Sequence, residues 1–284
     1  MKTLIFCTSY FDKQELYQKR YQKWIDYYNN HPFTNDKHLY LIDDCSDLEL
    51  MTDDAVHNIK EDQLGGFQVV NKINIYSFNN RKGLNWSHNS ANNEGWWRSF
   101  SASIDIAEEF NYEKIIHIES DAFLISRRIF DHIDSLKTGW TGLWANKYNF
   151  PESCIQIICK DQFDSFRDFV SCGSHELSKK GFAEKIIPFT NVERSFVGDR
   201  YGEKVNKQME GLDYFCQTKL DTIITAESSD RLEGFNVIFW RKIWRFHLFQ
   251  FIWRSRIVFL VLLGILLMLI YINWYMVCIG EELK

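Results

Sequence analysis

The chain has 284 residues, enough for one large α/β domain or two small ones with a sizeable core. A formal net charge of −5 excludes the broad basic face of a nucleic-acid binder. Three prolines and no Gly/Ser-rich stretch leave no flexible linker. Seven cysteines, odd in number and without a Cys-x-x-Cys pair, fit reduced thiols rather than a disulfide framework or a zinc site.

Lys2 to Cys7 reads as a first buried strand, its apolar run too short for a signal peptide. Asp12-Lys13-Gln14-Glu15 has the form of a capping box that opens a helix. Tyr17, Tyr21, Trp24 and Tyr28 recur at helical spacing and give that helix one aromatic face, read as core. His38 to Ile42 is a second strand, ending in Asp43-Asp44-Cys45-Ser46-Asp47. Strand, helix, strand predicts a βαβ unit and hence a parallel sheet with right-handed crossovers.

Val69 to Tyr76 reads as a third strand, and Asn79 to Asn93 as a polar loop. A helix is expected from Gly95 to Phe110, with Trp97, Phe100, Ile104 and Ala107 on one face. It leads into the apolar run Lys114 to Ile118, a buried strand. Cys154 to Cys159 reads as a strand and Asp161 to Val170 as a helix; residues 171–206 are irregular, and an amphipathic helix is expected from Gly211 to Leu220.

From Ile257 to Ile279 the chain carries no charge. About 23 helical residues reach roughly 34 Å, enough for a hydrocarbon core of about 30 Å. Arg241, Lys242, Arg245, Arg254 and Arg256 precede this span, against Lys284 alone after it, so the positive-inside rule places the N-terminal side in the cytoplasm. Residues 235–256 combine many aromatics with cations and no acid after Phe235, which suits a segment in the headgroup layer. The expected organisation is a catalytic domain at 1–234, an interfacial segment at 235–256 and a transmembrane helix at 257–279. It would be single-pass, with a cytoplasmic catalytic domain on a bacterial inner membrane.

The most informative residues are Glu119 and Asp121, which emerge where the strand ending at Ile118 stops. Ligands of open α/β sheets bind outside the carboxyl ends of the strands. A Glu-x-Asp pair there can hold a divalent cation against a diphosphate, because hard cations prefer carboxylate and phosphate oxygens. The pattern alone is weak. Chance gives roughly five acidic-x-acidic triplets at this acidic content, and Asp47-Leu48-Glu49 is another.

Three segments together resemble the GT-A-fold glycosyltransferases, nearest to family 2-like members. Leu4-Ile5-Phe6-Cys7-Thr8-Ser9-Tyr10 is similar to the first strand and nucleotide loop of that fold. Ile42-Asp43-Asp44-Cys45-Ser46-Asp47 resembles its Asp-Asp-Gly-Ser-x-Asp segment, with Cys45 in place of glycine. Ile116-His117-Ile118-Glu119-Ser120-Asp121-Ala122 resembles its metal-binding Asp-x-Asp segment, with Glu first. The resemblance implies a Rossmann-like, mixed but mainly parallel sheet flanked by helices, here with a C-terminal transmembrane helix added.

It also implies roles. Thr8, Ser9 and Tyr10 would border the nucleotide base, Asp44 would accept a hydrogen bond from it, and Asp43 would orient the loop. Asp121 would be the main ligand of Mn²⁺ or Mg²⁺, with Glu119 facing the ribose or the metal through water, and Arg98 would reach the diphosphate. Glu210 and Asp213 both stand as candidates for the base that deprotonates the acceptor, and His175 for a further metal ligand. The donor would be a nucleotide sugar and the acceptor a lipid-linked or membrane glycan, as in surface polysaccharide assembly. The rivals are a membrane-anchored scaffold with a degenerate transferase fold and a haloacid dehalogenase-type phosphotransferase, which would need Asp where Glu119 stands. The main reading requires Asp44 and Asp121 to open onto one cleft.

Overall fold

Apolar runs without alternation mark strands covered on both faces, and here they form the centre of the sheet. In the computed structural model, residues 1–51, 56–66, 71–83, 85–87, 90–201 and 211–218 are described. All lie in the first of two units into which the chain divides, Met1–Leu232. The second, Glu233–Lys284, holds the expected interfacial stretch and apolar span and lies outside the described residues. Among the described residues no helix is long and apolar enough to cross a membrane.

The elements run β1 (Thr3–Ser9), α1 (Gln14–Leu16), a π-turn (Tyr17–Gln22), α2 (Lys23–Asn29), β2 (Lys37–Asp43), β3 (His57–Lys60) and β4 (Ile73–Ser77). There follow β5 (Asn85–Ser87), β6 (Ser90–Asn92), α3 (Glu94–Glu109), β7 (Lys114–Ile118), β8 (Phe123–Leu124), α4 (Arg127–Ser135), β9 (Trp140–Ala145) and β10 (Phe150–Cys159). The remainder is α5 (Phe163–Val170), α6 (Ser174–Lys179), α7 (Ala183–Ile186), β11 (Asn191–Glu193), β12 (Gly198–Arg200) and β13 (Tyr214–Cys216).

Eight strands form the main sheet in the order β11-β9-β10-β7-β1-β2-β4-β3. Every pairing is parallel except those of β10, which runs against both β7 and β9. This is the mixed, mainly parallel sheet with flanking helices that the resemblance implied. Leu4 and Phe6 of β1 and Tyr40 and Ile42 of β2 pack with Trp97, Phe100, Ile104 and Ala107 of α3. Ile5, Cys7, Leu39 and Leu41 point to the other face and are equally buried. Tyr17, Tyr21, Trp24 and Tyr28 are all buried, as their spacing predicts.

Several local expectations are corrected. Asp12 does not cap the first helix: Lys13 holds the N-cap, without a side-chain bond. The polar stretch 79–93 contains the antiparallel pair β5–β6. In the stretch expected to be irregular, the described residues 171–201 carry two short helices and two short strands. Up to residue 218 the expected helix from Gly211 is a loop and β13, which joins β8 and β12 in a three-stranded sheet. Tyr214, Phe215 and Cys216 are consecutive and all buried, which suits a strand covered on both faces.

Candidate active site

The order of the main sheet reverses at β1: β2 and β4 continue to one side, while β7 lies on the other. Such a switch point opens a crevice at the carboxyl ends of the strands. Thr8 and Ser9 end β1, Asp43 ends β2, and Glu119, Ser120 and Asp121 follow β7.

Glu119 is held by three elements. Thr8 Oγ1 donates to its Oε2 at 3.0 Å, Trp96 Nε1 of α3 donates to Oε1, and His117 Nε2 lies 3.0 Å from Oε1. Its backbone N–H donates to Cys154 O on β10 at 2.9 Å. Burial alone would raise this carboxyl, but His117, Trp96 and Thr8 together hold it below its ordinary value. Both oxygens are engaged, so Glu119 fits a bracket that joins β1, α3 and β7 better than a group facing the ribose or the metal through water, as expected of it.

Asp121 is different. Its side chain is 21% exposed, and the backbone N–H groups of its own residue and of Gln217 favour its charged form. Arg20 Nη1 stands 3.6 Å from Oδ2. Burial pushes this carboxyl up to about 6; Arg20 opposes the rise and Glu119 adds to it. Thr218 Oγ1 donates to the Asp121 carbonyl at 3.3 Å, fixing the loop. One carboxylate at a strand end fits a cation that a protein holds with one or two carboxylates and a ligand's phosphates.

Asp43 is fully buried. Ser9 Oγ at 3.0 Å, Ser46 N at 2.6 Å and Ser46 Oγ at 2.6 Å all donate to it, a knot that sets the loop between β2 and the rim. Burial raises its carboxyl to about 6, with Ser46 and Ser9 opposing. Cys45, inside that loop, has φ +68°, the left-handed region that favours glycine. Tyr21 Oη bonds both the N–H and the carbonyl of Tyr10 at 3.1 and 3.0 Å, and the Arg81 guanidinium lies 3.8 Å over the Tyr10 ring.

Two expected donor contacts are occupied within the protein. Asp44 takes Lys82 N at 3.2 Å, Gly83 N at 2.7 Å and Arg98 Nη2, leaving its side chain 5% exposed. A Cβ on Gly95 would sit 2.4 Å from Asp44 Oδ2, so only glycine lets α3 start this close. Arg98 spends its remaining bonds on Asn80 and lies 3.9 Å over the Phe78 ring. Asp44 is therefore sealed, and the requirement that it share a cleft with Asp121 is not met. Asp44 and Arg98 hold the loop at 79–83 instead of reaching a base or a diphosphate.

The base expected at Asp213 is also corrected. Asp213 is buried and accepts from Arg128 Nε at 2.6 Å, from Arg128 Nη2, from Ser126 Oγ and from Val197 N at 2.7 Å. Its carboxylate fastens the start of α4 to the segment before β12. Glu210 lies outside the described residues. His175 is exposed and pairs with Glu94, its Nδ1 lying 3.2 Å from Oε2.

A second gathering of metal-ligand types is Glu152, Cys154 and Cys216, all buried. Arg200 Nη1 lies 2.5 Å from Glu152 Oε1, and the Cys216 thiol donates to Oε2 at 3.2 Å. Both oxygens are thus used in a neutral cluster. Burial holds the Cys216 thiol up at about 12, so the group is a polar brace beneath β13.

Arg20, Trp96 and His117 were not anticipated as site residues. His117 sits in a run already read as a buried strand, Trp96 stands beside the helix face read as core, and nothing in the sequence marks Tyr17–Gln22 as a π-turn.

No protein-family model matches the chain, and no curated protein matches it. Among solved structures it is similar to a glycosyltransferase involved in the glycosylation of the major capsid of PBCV-1, at 9% identity and a TM-score of 0.39, covering 76% of this chain and 93% of that one. It is also similar to an active-site mutant of LgtC, at 8% identity and a TM-score of 0.43. The galactosyltransferase LgtC in complex with donor and acceptor sugar analogs gives 9% identity and 0.42. Both cover 70% of this chain and 75% of theirs. All three TM-scores lie below one half, and no activity is transferred from these proteins to the chain.

Proposed function

We propose that the chain is a glycosyltransferase that draws its sugar from a nucleotide-sugar donor at the junction of β1 and β7, on a site that rests on Asp121 without the sealed Asp44 and so departs from the two-carboxylate cleft first expected. The observation that carries this is the contrast at the tip of β7. Glu119 is locked into the scaffold, while Asp121, two residues on, stays partly exposed with its carboxyl raised to about 6. Perturbed carboxylates at a sheet switch point mark functional sites.

Asp121 would hold Mn²⁺ or Mg²⁺ together with the donor's phosphate oxygens. When bound, that cation neutralises charge as the glycosidic bond breaks. The chain's own residues do the rest. Thr8, Trp96 and His117 fix Glu119, and with it the approach of the Asp121 loop. Asp43 fixes the turn through Ser46, and Tyr10 with Arg81 offers a flat cationic platform for a base. Glu210 remains the proposed acceptor base. The apolar span at 257–279 would tether a cytoplasmic catalytic domain to the membrane, close to a lipid-linked or membrane glycan acceptor.

The test is hydrolysis of a panel of UDP- and GDP-sugars by the full-length protein in detergent, with and without Mn²⁺. Metal-dependent release of sugar, lost in Asp121→Asn at an unchanged or higher Tm, is the expected result. Full activity in that variant sinks the proposal. Hydrolysis of no donor sinks it too, in favour of a non-catalytic scaffold.

A further inference from the structure

We propose that Arg20 is a donor-binding residue that grips the diphosphate, exchanging Asp121 for phosphate oxygens when the donor arrives. This rests on the reading of the β1–β7 junction given above and adds a residue that neither the motifs nor the resemblance supplied.

Four arginines of the described fold face buried or half-buried carboxylates, and three of them hydrogen-bond those carboxylates directly. Arg98 bonds Asp44 and Asn80, Arg128 bonds Asp213 and Ser195 O, and Arg200 bonds Glu152 and Glu184. Arg20 is the exception. Its Nη1 is 3.6 Å from Asp121 Oδ2, which attracts the charge but is too long for a hydrogen bond. Its Nε is buried with no acceptor; those of Arg98 and Arg200 are too, but both of these hold their carboxylates through a terminal nitrogen, which Arg20 does not. A buried donor without a partner costs about 1–3 kcal/mol, so the site is short of an acceptor at this point. The side chain is nonetheless 31% exposed, so a ligand can reach it.

The backbone beneath Arg20 is fixed. It lies in the π-turn Tyr17–Gln22, and single π-turns within helices recur at functional sites. Tyr17 and Tyr21 anchor the turn in the core, and Tyr21 Oη ties it to both backbone groups of Tyr10, in the loop that follows Thr8 and Ser9. Arg20 is thereby coupled to the carboxyl end of β1 and aimed at the carboxyl end of β7.

A guanidinium presents a planar fork of donors that matches two phosphate oxygens and keeps its charge at every working pH. A diphosphate offers several strong acceptors where Asp121 now offers one distant oxygen. On binding, Arg20 leaves Asp121 for the phosphates, and Asp121 loses the positive neighbour that competes with a cation. The exchange makes diphosphate and cation binding mutually supportive.

The test uses inorganic pyrophosphate and Mn²⁺ as probes on the full-length protein in detergent, by titration calorimetry and by the spin-resonance signal of free Mn²⁺. Arg20→Gln should weaken pyrophosphate at least tenfold while binding Mn²⁺ alone as tightly as the wild type or tighter, and Arg20→Lys should recover part of the loss. Asp121→Asn should lose Mn²⁺ and keep metal-free pyrophosphate binding. As a readout that needs no variant, phenylglyoxal should label Arg20 in the free protein, and pyrophosphate should block it. Unchanged pyrophosphate affinity in Arg20→Gln, or labelling that pyrophosphate does not slow, overturns the role of Arg20 and leaves the site reading standing. A wild type that binds neither probe removes both.

Discussion

The tip of β7 and the hub around Asp213 are built from the same pair of side chains and end in opposite states. At the hub, Arg128 meets Asp213 with two nitrogens, Ser126 and Val197 complete the carboxylate, and only 2% of the Asp213 side chain is exposed. At the tip, Arg20 hangs 3.6 Å from Asp121, and 21% of the carboxylate's side chain is exposed. A saturated pair has nothing left to give a ligand and serves the fold. An unsaturated pair is strained by burial and holds its binding capacity in reserve.

Exchanging the outcomes of the two carboxylates would break this comparison. Asp121→Asn should lower metal-dependent donor turnover by on the order of 10³, the kinetic equivalent of several kcal/mol of lost charge stabilisation. Asp213→Ala should instead destabilise the fold by about 3 kcal/mol, because Val197 N and Ser126 Oγ lose their acceptor in the interior and Arg128 its partner. Turnover per folded molecule should change little. Denaturant unfolding beside steady-state assays reads both effects, and a catalytic loss confined to Asp213→Ala would reverse the assignment.

The pH dependence sharpens the same contrast. The folded state raises the Asp121 carboxyl from its ordinary 3.8 to about 6. Its contribution to stability is therefore complete below pH 3.8 and is lost as pH rises through about 6. In metal-free protein at pH 7, Asp121→Asn should gain about 3 kcal/mol, and at pH 4 only about 0.5 kcal/mol. Mn²⁺ affinity of the wild type should fall as pH drops below 6, where protons compete for the same oxygens. The smallest effect is Cys45→Gly, which should stabilise the fold by about 1 kcal/mol by relieving a left-handed residue. Thermal melts across pH resolve each of these.

The strands that carry the site were legible because β1, β2 and β7 are continuous apolar runs, and the two carboxylates after β7 follow from where such a run stops. What those carboxylates do was not legible. The donors that engage Glu119 come from residues 8, 96 and 117, and only the assembled sheet and α3 bring them together. Asp213 looked like a helix-start acid, yet it answers to an arginine 85 residues earlier. Asp44 sat in a matching motif, but its fate is set by Gly83, Gly95 and Arg98, spread along the following fifty residues. Local pattern finds the strand ends, whereas long-range hydrogen bonding decides which acid is spent there.

The single reversed strand has a consequence for how this rim can change. Because β10 runs against β7, it pairs with it only from Ile155 onward, and residues 150–152 overshoot the tip, paired with β9 alone. The two strands meet in a tight turn at residues 146–149 beyond that overshoot. This hairpin is braced from the segment around β12: Arg200 bonds Glu152 and lies over the Phe150 ring, and Tyr148 meets Tyr201 edge on. Lengthening or trimming the turn at 146–149 would leave the register of β10 against β7 untouched, because that pairing begins only at Ile155, so this edge of the rim can vary in length while the strand end that carries Asp121 stays put.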